Sequence, residues 1–172
     1  MSLHPLAQYL DQVPDFPKPG ILFSDISPLL KNHFNDTIDA MSALFSEEEW
    51  ANIDYLAGIE SRGFIFASAL AYKHNKGVIK IRKGGKLPNV AASIEYGLEY
   101  GKDKLEMQKG DGSRLVLFDD LIATGGSMGA AAELCENVGY QVMGMACLVD
   151  LESLNSFTYN DIKVRSVIQL QD

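Results

Sequence analysis

Positive charge, cysteine, histidine and long apolar runs are all scarce in this chain of 172 residues, and each scarcity removes a class of function. Lys and Arg number 15 against 23 Asp and Glu, for a net charge of −8 at pH 7. Proteins that hold nucleic acid or an anionic membrane neutralise phosphates with a basic face, so neither partner is expected. The two cysteines, Cys135 and Cys147, make no disulfide framework and no zinc pattern. Both lie in apolar surroundings and read as small buried hydrophobes. His4, His33 and His74 are scattered without ligand spacing. No run approaches the roughly 18 apolar residues of a membrane span, and the first residues lack a charged-then-apolar signal pattern. The expectation is a soluble cytoplasmic protein. Repeats, low-complexity tracts and linkers are also missing, which predicts a single domain over residues 1–172. With 47% apolar and 22% charged residues, the composition supports a packed core rather than disorder.

What is present alternates. Residues 3–10 read as a short helix, closed by Val13-Pro14-Asp15-Phe16-Pro17-Lys18-Pro19-Gly20. Three prolines and a glycine there preclude a regular helix and favour a fixed, extended loop. Ile38, Met41 and Phe45 recur near helical spacing and predict an amphipathic helix over residues 36–45. Apolar runs then predict strands at 55–59, 78–81, 115–118 and 142–149, with helices through 64–70 and 128–138. Such alternation predicts an α/β fold, a twisted, largely parallel sheet with helices on both faces. Ligands in these sheets sit beyond the carboxyl ends of the strands. Residues 83–104, rich in Gly, Pro, Asn and Ser, break the pattern. A connection this long is expected to be a lid or a hairpin arm.

The stretch Leu115-Val116-Leu117-Phe118-Asp119-Asp120-Leu121-Ile122-Ala123-Thr124-Gly125-Gly126-Ser127 carries the chemistry. It reads as a buried strand, two carboxylates at its carboxyl end, a tight turn and a helix start. Gly125 and Gly126 lack Cβ, so their N–H groups can approach an anion closely. Thr124 and Ser127 add hydroxyls, and the helix start adds unsatisfied N–H groups and the positive dipole end. A sugar phosphate fits this layout, phosphate in the turn and diol on the acids. No Gly-Lys-Ser/Thr follows the glycines, so it is not a P-loop, and it is not the dinucleotide G-x-G-x-x-G. A plain strand–helix turn capped by Ser127 is the bland alternative.

This stretch closely resembles the phosphoribosyl pyrophosphate (PRPP) signature of the type I phosphoribosyltransferases, and from Asp119 onward its wording is similar to the adenine-specific branch. Further blocks resemble the same family in the same order. Asp15-Phe16-Pro17-Lys18-Pro19-Gly20-Ile21-Leu22-Phe23 with Asp25-Ile26-Ser27-Pro28 resembles its base-site segment. Gly58-Ile59-Glu60-Ser61-Arg62-Gly63-Phe64 resembles its pyrophosphate loop. Ile81-Arg82-Lys83 with Gly85-Lys86-Leu87-Pro88, then Leu98-Glu99-Tyr100-Gly101, resembles its basic strand end and catalytic loop. The resemblance implies the type I fold, with a base-side segment at residues 1–35 and a flexible lid loop at residues 83–104.

It also implies roles. Asp119 and Asp120 hold the ribose hydroxyls of PRPP, and Ala123, Thr124, Gly125, Gly126 and Ser127 hold its 5′-phosphate. Arg62 stands at a strand-to-helix junction on the ligand edge; its forked guanidinium suits clustered pyrophosphate oxygens, against the alternative of a solvated helix-start residue. Ser61, Arg82 and Lys86 join it at pyrophosphate, with Lys80 and Lys83 left open. Glu99 and Tyr100 come from the lid, Glu99 to manage the proton at adenine N7 and Tyr100 to cover the reacting pair. Closure has a physical reason, because an oxocarbenium-like ribosyl centre must be kept from water. Leu22, Phe23 and Ser24 form the base site, read by main chain at Leu22 and Ser24. Mg2+ is implied by the substrate, held mainly by its phosphates rather than by a protein cage.

The implied activity is transfer of the 5-phosphoribosyl group to N9 of adenine, with adenine and PRPP as small-molecule partners and a homodimer as the assembly. Two alternatives stay open, another purine such as xanthine, or a non-catalytic PRPP-binding regulatory module. The chain departs from the family pattern at Ser24 (usually Arg), Ser61 (Ala), Asn89 (Gly) and Ser127 (Thr). Asn89 can take left-handed backbone angles, and Ser127 keeps the hydroxyl.

Overall fold

The prolines after Val13 keep the opening segment irregular, and the computed structural model, which describes residues 3–98 and 101–171, shows how it is used. The helix expected over residues 3–10 is a 3-10 helix limited to Pro5–Tyr9, and strand β1, Asp11–Pro14, follows. β1 pairs antiparallel with β2, Leu22–Asp25, as a separate two-stranded ribbon. The intervening turn is held by Asp15 Oδ1, which accepts from the Gly20 N–H at 2.7 Å, and the Phe16–Pro17 peptide is cis. Three helices follow, α1 at Ser27–Asn32, α2 at Phe34–Ser42 and α3 at Glu47–Ala51. Ser46 and Glu49 close a capping box on α3, satisfying two helix-start N–H groups reciprocally.

Then comes the α/β body, made of β3 (Tyr55–Ile59), α4 (Gly63–His74), β4 (Gly77–Lys83), β5 (Ala92–Leu98), β6 (Gly101–Met107), β7 (Arg114–Ile122), α5 (Gly126–Asn137), β8 (Gln141–Leu151), β9 (Thr158–Tyr159) and β10 (Ile162–Leu170). All eight of these strands form one sheet in the order β5-β6-β4-β3-β7-β8-β10-β9. The central five, β4, β3, β7, β8 and β10, are parallel, while β5, β6 and β9 add antiparallel edges.

Burial on both faces follows from the period of two along a strand. On β7, Val116 and Phe118 enter the core shared with α1, α2 and α4, while Leu115 and Leu117 enter the core shared with α5. β8 repeats this, with Ala146 and Leu148 on the first side and Met145 and Cys147 on the second. Cys135 and Cys147 are free and buried, and burial pushes both thiols up, away from reactivity.

Of the two forms expected for residues 83–104, a lid or a hairpin arm, the described residues form the arm. Residues 92–98 and 101–107 are paired strands in register, Ala92 opposite Met107 through Leu98 opposite Gly101, so among the described residues of this segment irregular chain lies between Lys83 and Ala92. The arm is an alternating strand, with Ile94 and Tyr96 packed toward α5 and Ser93, Glu95 and Gly97 exposed. Its Gly and Ser content masked that alternation. Asn89 takes φ +53°, the left-handed region a glycine would fill.

Candidate active site

Two glycines set the geometry. Gly125 has φ +89° and precedes α5, so the chain turns sharply between the end of β7 and the first helical N–H groups. At Gly63, the first residue of α4, an added Cβ would lie 2.6 Å from the Phe118 carbonyl oxygen. Only a bare Cα lets the start of α4 rest against the end of β7, and this brings Ser61 and Arg62 beside Asp119 and Asp120. The Glu60–Ser61 peptide is cis.

These strand ends enclose a cavity of about 570 Å³, lined by residues 59–62, Lys83, Lys86, Tyr96 and residues 119–128. It lies at the carboxyl ends of β3, β4 and β7, where open α/β sheets take ligands. Asp120 is buried and accepts from Arg62 Nε at 2.8 Å, while its own N–H donates to Asp119 Oδ1 at 2.9 Å. Asp119 is half-buried; burial and the neighbouring Asp120 charge push its carboxyl well above the usual carboxylate range. A site that strains an ionised acid in this way favours hydroxyl donors or a cation coming to it.

In the wall of the cavity sits Glu60, 9% exposed, a residue to which the sequence assigns no role. It accepts from Lys86 Nζ at 2.7 Å, from the Lys83 N–H at 2.8 Å and from Arg82 Nε at 3.3 Å. Burial opposes its ionisation, but these bonds outweigh it and hold the acid at about 2. Arg82 also donates to the Lys86 carbonyl at 3.1 Å.

On the far wall Tyr96 donates to Asp103 Oδ2 at 3.1 Å, and its hydroxyl also meets that of Ser127. Burial first, then Asp103, push the Tyr96 phenol up against the opposing Ser127 contact. Asp103 in turn pairs with Lys83 Nζ at 3.2 Å. Cations and acids thus face each other across a turn of N–H donors, an arrangement for a ligand bearing both hydroxyls and phosphates.

The family model for the phosphoribosyl transferase domain matches residues 29–171. The chain belongs to the phosphoribosyltransferase family. The adenine phosphoribosyltransferase of Hydrogenovibrio crunogenus is 72% identical over 172 residues, covering 100% of both chains. Among solved structures, the adenine phosphoribosyltransferase of Thermoanaerobacter pseudethanolicus aligns with a TM-score of 0.87 at 38% identity, over 95% of this chain and 96% of that one. The Saccharomyces cerevisiae enzyme, complexed with D-2,5-dideoxy-2,5-imino-altritol 1,6-bisphosphate and adenine, gives 0.88 at 38% identity over 95% and 96%.

In this phosphoribosyltransferase Ser61, Arg62, Lys86, Asp119, Asp120 and Ala123 through Ser127 converge on one cavity. Of the two cations left open by sequence, Lys83 lines it too; Arg82, expected at pyrophosphate, is not in the lining and orders Glu60 and the Lys86 turn. Lys80 is absent from the lining. Phe23 reaches the site edge, its ring 5.8 Å from the Arg62 guanidinium and stacked edge-on to Phe16 at 5.1 Å. Ser24 is buried in the ribbon, where its hydroxyl donates to Gln12 Oε1 at 3.1 Å. Glu99 and Tyr100 lie outside the described residues. Among the described residues no group of three or more His, Cys, Asp and Glu could cage a metal ion. The carboxylates of the cavity wall are Glu60, Asp119 and Asp120, and Glu60 is already engaged by Lys86 and Arg82.

Proposed function

We infer that this phosphoribosyltransferase moves the 5-phosphoribosyl group of PRPP to N9 of adenine, giving AMP and pyrophosphate in purine salvage. The observation that carries this is the single cavity in which the Ala123–Ser127 turn, the Asp119–Asp120 pair and the Arg62, Lys83 and Lys86 cations meet. The names of the aligned relatives agree with it.

The turn takes the 5′-phosphate and the two acids take the ribose hydroxyls. Arg62, Lys86, Lys83 and Ser61 face the pyrophosphate, with Arg82 acting through Glu60. The bond from C1′ to the pyrophosphate oxygen breaks, the electron pair leaves with pyrophosphate, and adenine N9 attacks C1′. Adenine bound as its N7–H tautomer then gives the N7 proton to the Glu99 carboxylate, while Tyr100 covers the pair. Mg2+ bound through the substrate phosphates would neutralise charge on the leaving group, and Asp119 and Asp120 would be the residues to hold it from the protein side. PRPP and AMP are multiply charged and stay in the compartment that makes them, so a cytoplasmic location belongs to this reading.

Adenine is selected by main chain. Leu22 and Ser24 share one parity on β2, so their backbone groups face one edge of the ribbon. Ser24 is tolerated in place of arginine because its side chain is engaged by Gln12, away from the base. The test is pyrophosphate release from PRPP and Mg2+ with adenine, hypoxanthine, guanine or xanthine. Adenine alone should turn over, the oxopurines at least about a thousandfold slower, because their reversed donor and acceptor pattern leaves polar groups unpaired. Release with an oxopurine would refute the base assignment, and PRPP binding without any turnover would leave a regulatory module.

A homodimer belongs to the same reading. Tyr72, 92% exposed, and Ile65, 37% exposed, stand on α4 beside a groove against α2. A side chain as large and apolar as Tyr72 left in water suits a face covered by a second copy. Tyr72→Glu is expected to halve the mass measured by light scattering; a variant still dimeric would remove this face from the interface.

A further inference from the structure

The back of the phosphate turn is held by residues that the reading above leaves without a task. After β8 and the one-turn 3-10 helix Glu152–Leu154, Asn155 folds under the turn. Its Nδ2 donates to the Ala123 carbonyl at 2.9 Å, to Asp150 Oδ1 at 3.0 Å and to the Leu151 carbonyl at 3.2 Å. Its Oδ1 accepts from the Phe157 N–H at 3.2 Å. One amide therefore ties the carboxyl ends of β7 and β8 together, with three acceptors sharing its two hydrogens.

Phe157 completes the hold by shape. A Cβ added at Gly125 would lie 2.6 Å from the ring Cγ, and one at Gly129 would lie 3.1 Å from the ring Cε2. The ring thus fills the notch that these two glycines leave at the start of α5.

A peptide unit converts this hold into function. The Ala123–Thr124 peptide is not among the cis bonds, so its C=O and N–H point in opposite directions. Drawing the Ala123 carbonyl toward Asn155 aims the Thr124 N–H away from it. Ala123 and Thr124 line the cavity and Asn155 does not. The donor is aimed before any phosphate arrives.

We propose that Asn155 and Phe157 are positioning residues that keep the Ala123–Gly125 turn in its anion-accepting shape and so set the affinity for the 5′-phosphate, separately from the base and pyrophosphate subsites. This rests on the PRPP reading of the cavity. Asp150, held in the same network, has its carboxyl raised by burial against the opposing Asn155 bond.

Ribose 5-phosphate is the probe, since it carries the phosphate and the diol without base or pyrophosphate. In Asn155→Ala its dissociation constant and the KM for PRPP should each rise about tenfold, the scale of one or two lost hydrogen bonds. Both kcat and the KM for adenine at saturating PRPP should stay within about twofold to threefold, which a general loosening of the fold would not spare. Phe157→Leu, which keeps an apolar side chain in the notch, should shift the same two constants in the same direction and carries the test if Asn155→Ala does not fold. Unchanged ribose 5-phosphate affinity in the folded variant overturns the proposal, as does an equal rise in the KM for adenine. Wild-type protein that fails to bind ribose 5-phosphate would instead overturn the reading of the cavity beneath it.

Discussion

Gly125→Ala is expected to raise the KM for PRPP by at least about a hundredfold while the protein still folds, a loss of about 2.7 kcal/mol at the phosphate turn. Two independent effects act at this position. Its φ of +89° lies in the left-handed region, where a side chain costs about 1–2 kcal/mol. The new methyl would also stand 2.6, 2.7 and 2.9 Å from Cγ, Cβ and Cδ2 of Phe157. Those are ring and Cβ atoms, not the far end of a flexible chain, so either Phe157 or the turn must shift. A shift of the turn re-aims the N–H groups on which the anion depends, and misplacement by an ångström is enough to cost such a factor. The check is steady-state kinetics beside a thermal melt. A KM for PRPP within a few-fold of wild type would show that the turn does not grip phosphate by backbone geometry. Measured against Phe157→Ala alone, Gly125→Ala/Phe157→Ala should show the φ part without the steric part, so the cycle separates the two.

Glu60→Gln should lower kcat/KM by about a hundredfold although Glu60 touches no substrate in the proposed mechanism. The carboxylate collects Lys86, Arg82 and the Lys83 N–H at 2.7–3.3 Å, and a neutral amide cannot hold two cations side by side. Released, Lys86 and Arg82 repel, and the pyrophosphate face loses its order. A fully buried ion pair broken in this way costs about 3–5 kcal/mol. Lys86 is half exposed, so about 1–2 kcal/mol is expected here, or a fall in melting temperature of roughly 2–8 °C.

The pH dependence separates charge from shape. The folded-state acid is depressed from 4.5 to about 2. Its stabilisation is therefore complete above the unfolded value of 4.5 and is lost as pH falls through about 2. The difference in melting temperature between wild type and Glu60→Gln should be constant from pH 5 to 7 and shrink below about pH 4. A difference that stayed constant down to about pH 2 would mean that packing, not charge, is what Glu60 supplies.

Legibility from sequence tracked contiguity. The β7–turn–α5 unit could be read because strand, acids, glycines and hydroxyls follow one another between Leu115 and Ser127. Arg62 could be placed at the ligand edge because it joins a strand to a helix. The cation cluster was visible too, but which member faces the ligand was not. That depends on how the chain leaves β4, which sends Lys83 and Lys86 to the cavity and Arg82 to Glu60.

β5 and β6 were hidden by polar composition; β5 shows a plain alternation only once Ile94 and Tyr96 are seen packed toward α5. β10 was not assigned at all. It is a parallel strand beside β8 with few buried side chains, and a half-exposed edge region carries a weak hydrophobic signal.

By itself the sequence determined the α/β class, the glycine turn with its two acids between β7 and α5, and a body without disulfides, all properties of neighbouring residues or of composition. Only the tertiary structure decided the partners. Glu60 meets Arg82 across 22 positions, Asn155 meets Ala123 across 32, and Tyr96 meets Ser127 from another strand. Each of these pairs exists because the sheet order places β4 beside β3 and β7 beside β8, and folds the β5–β6 arm over α5. Strand order is fixed by the burial of both sheet faces at once, a global balance that no local run of residues encodes.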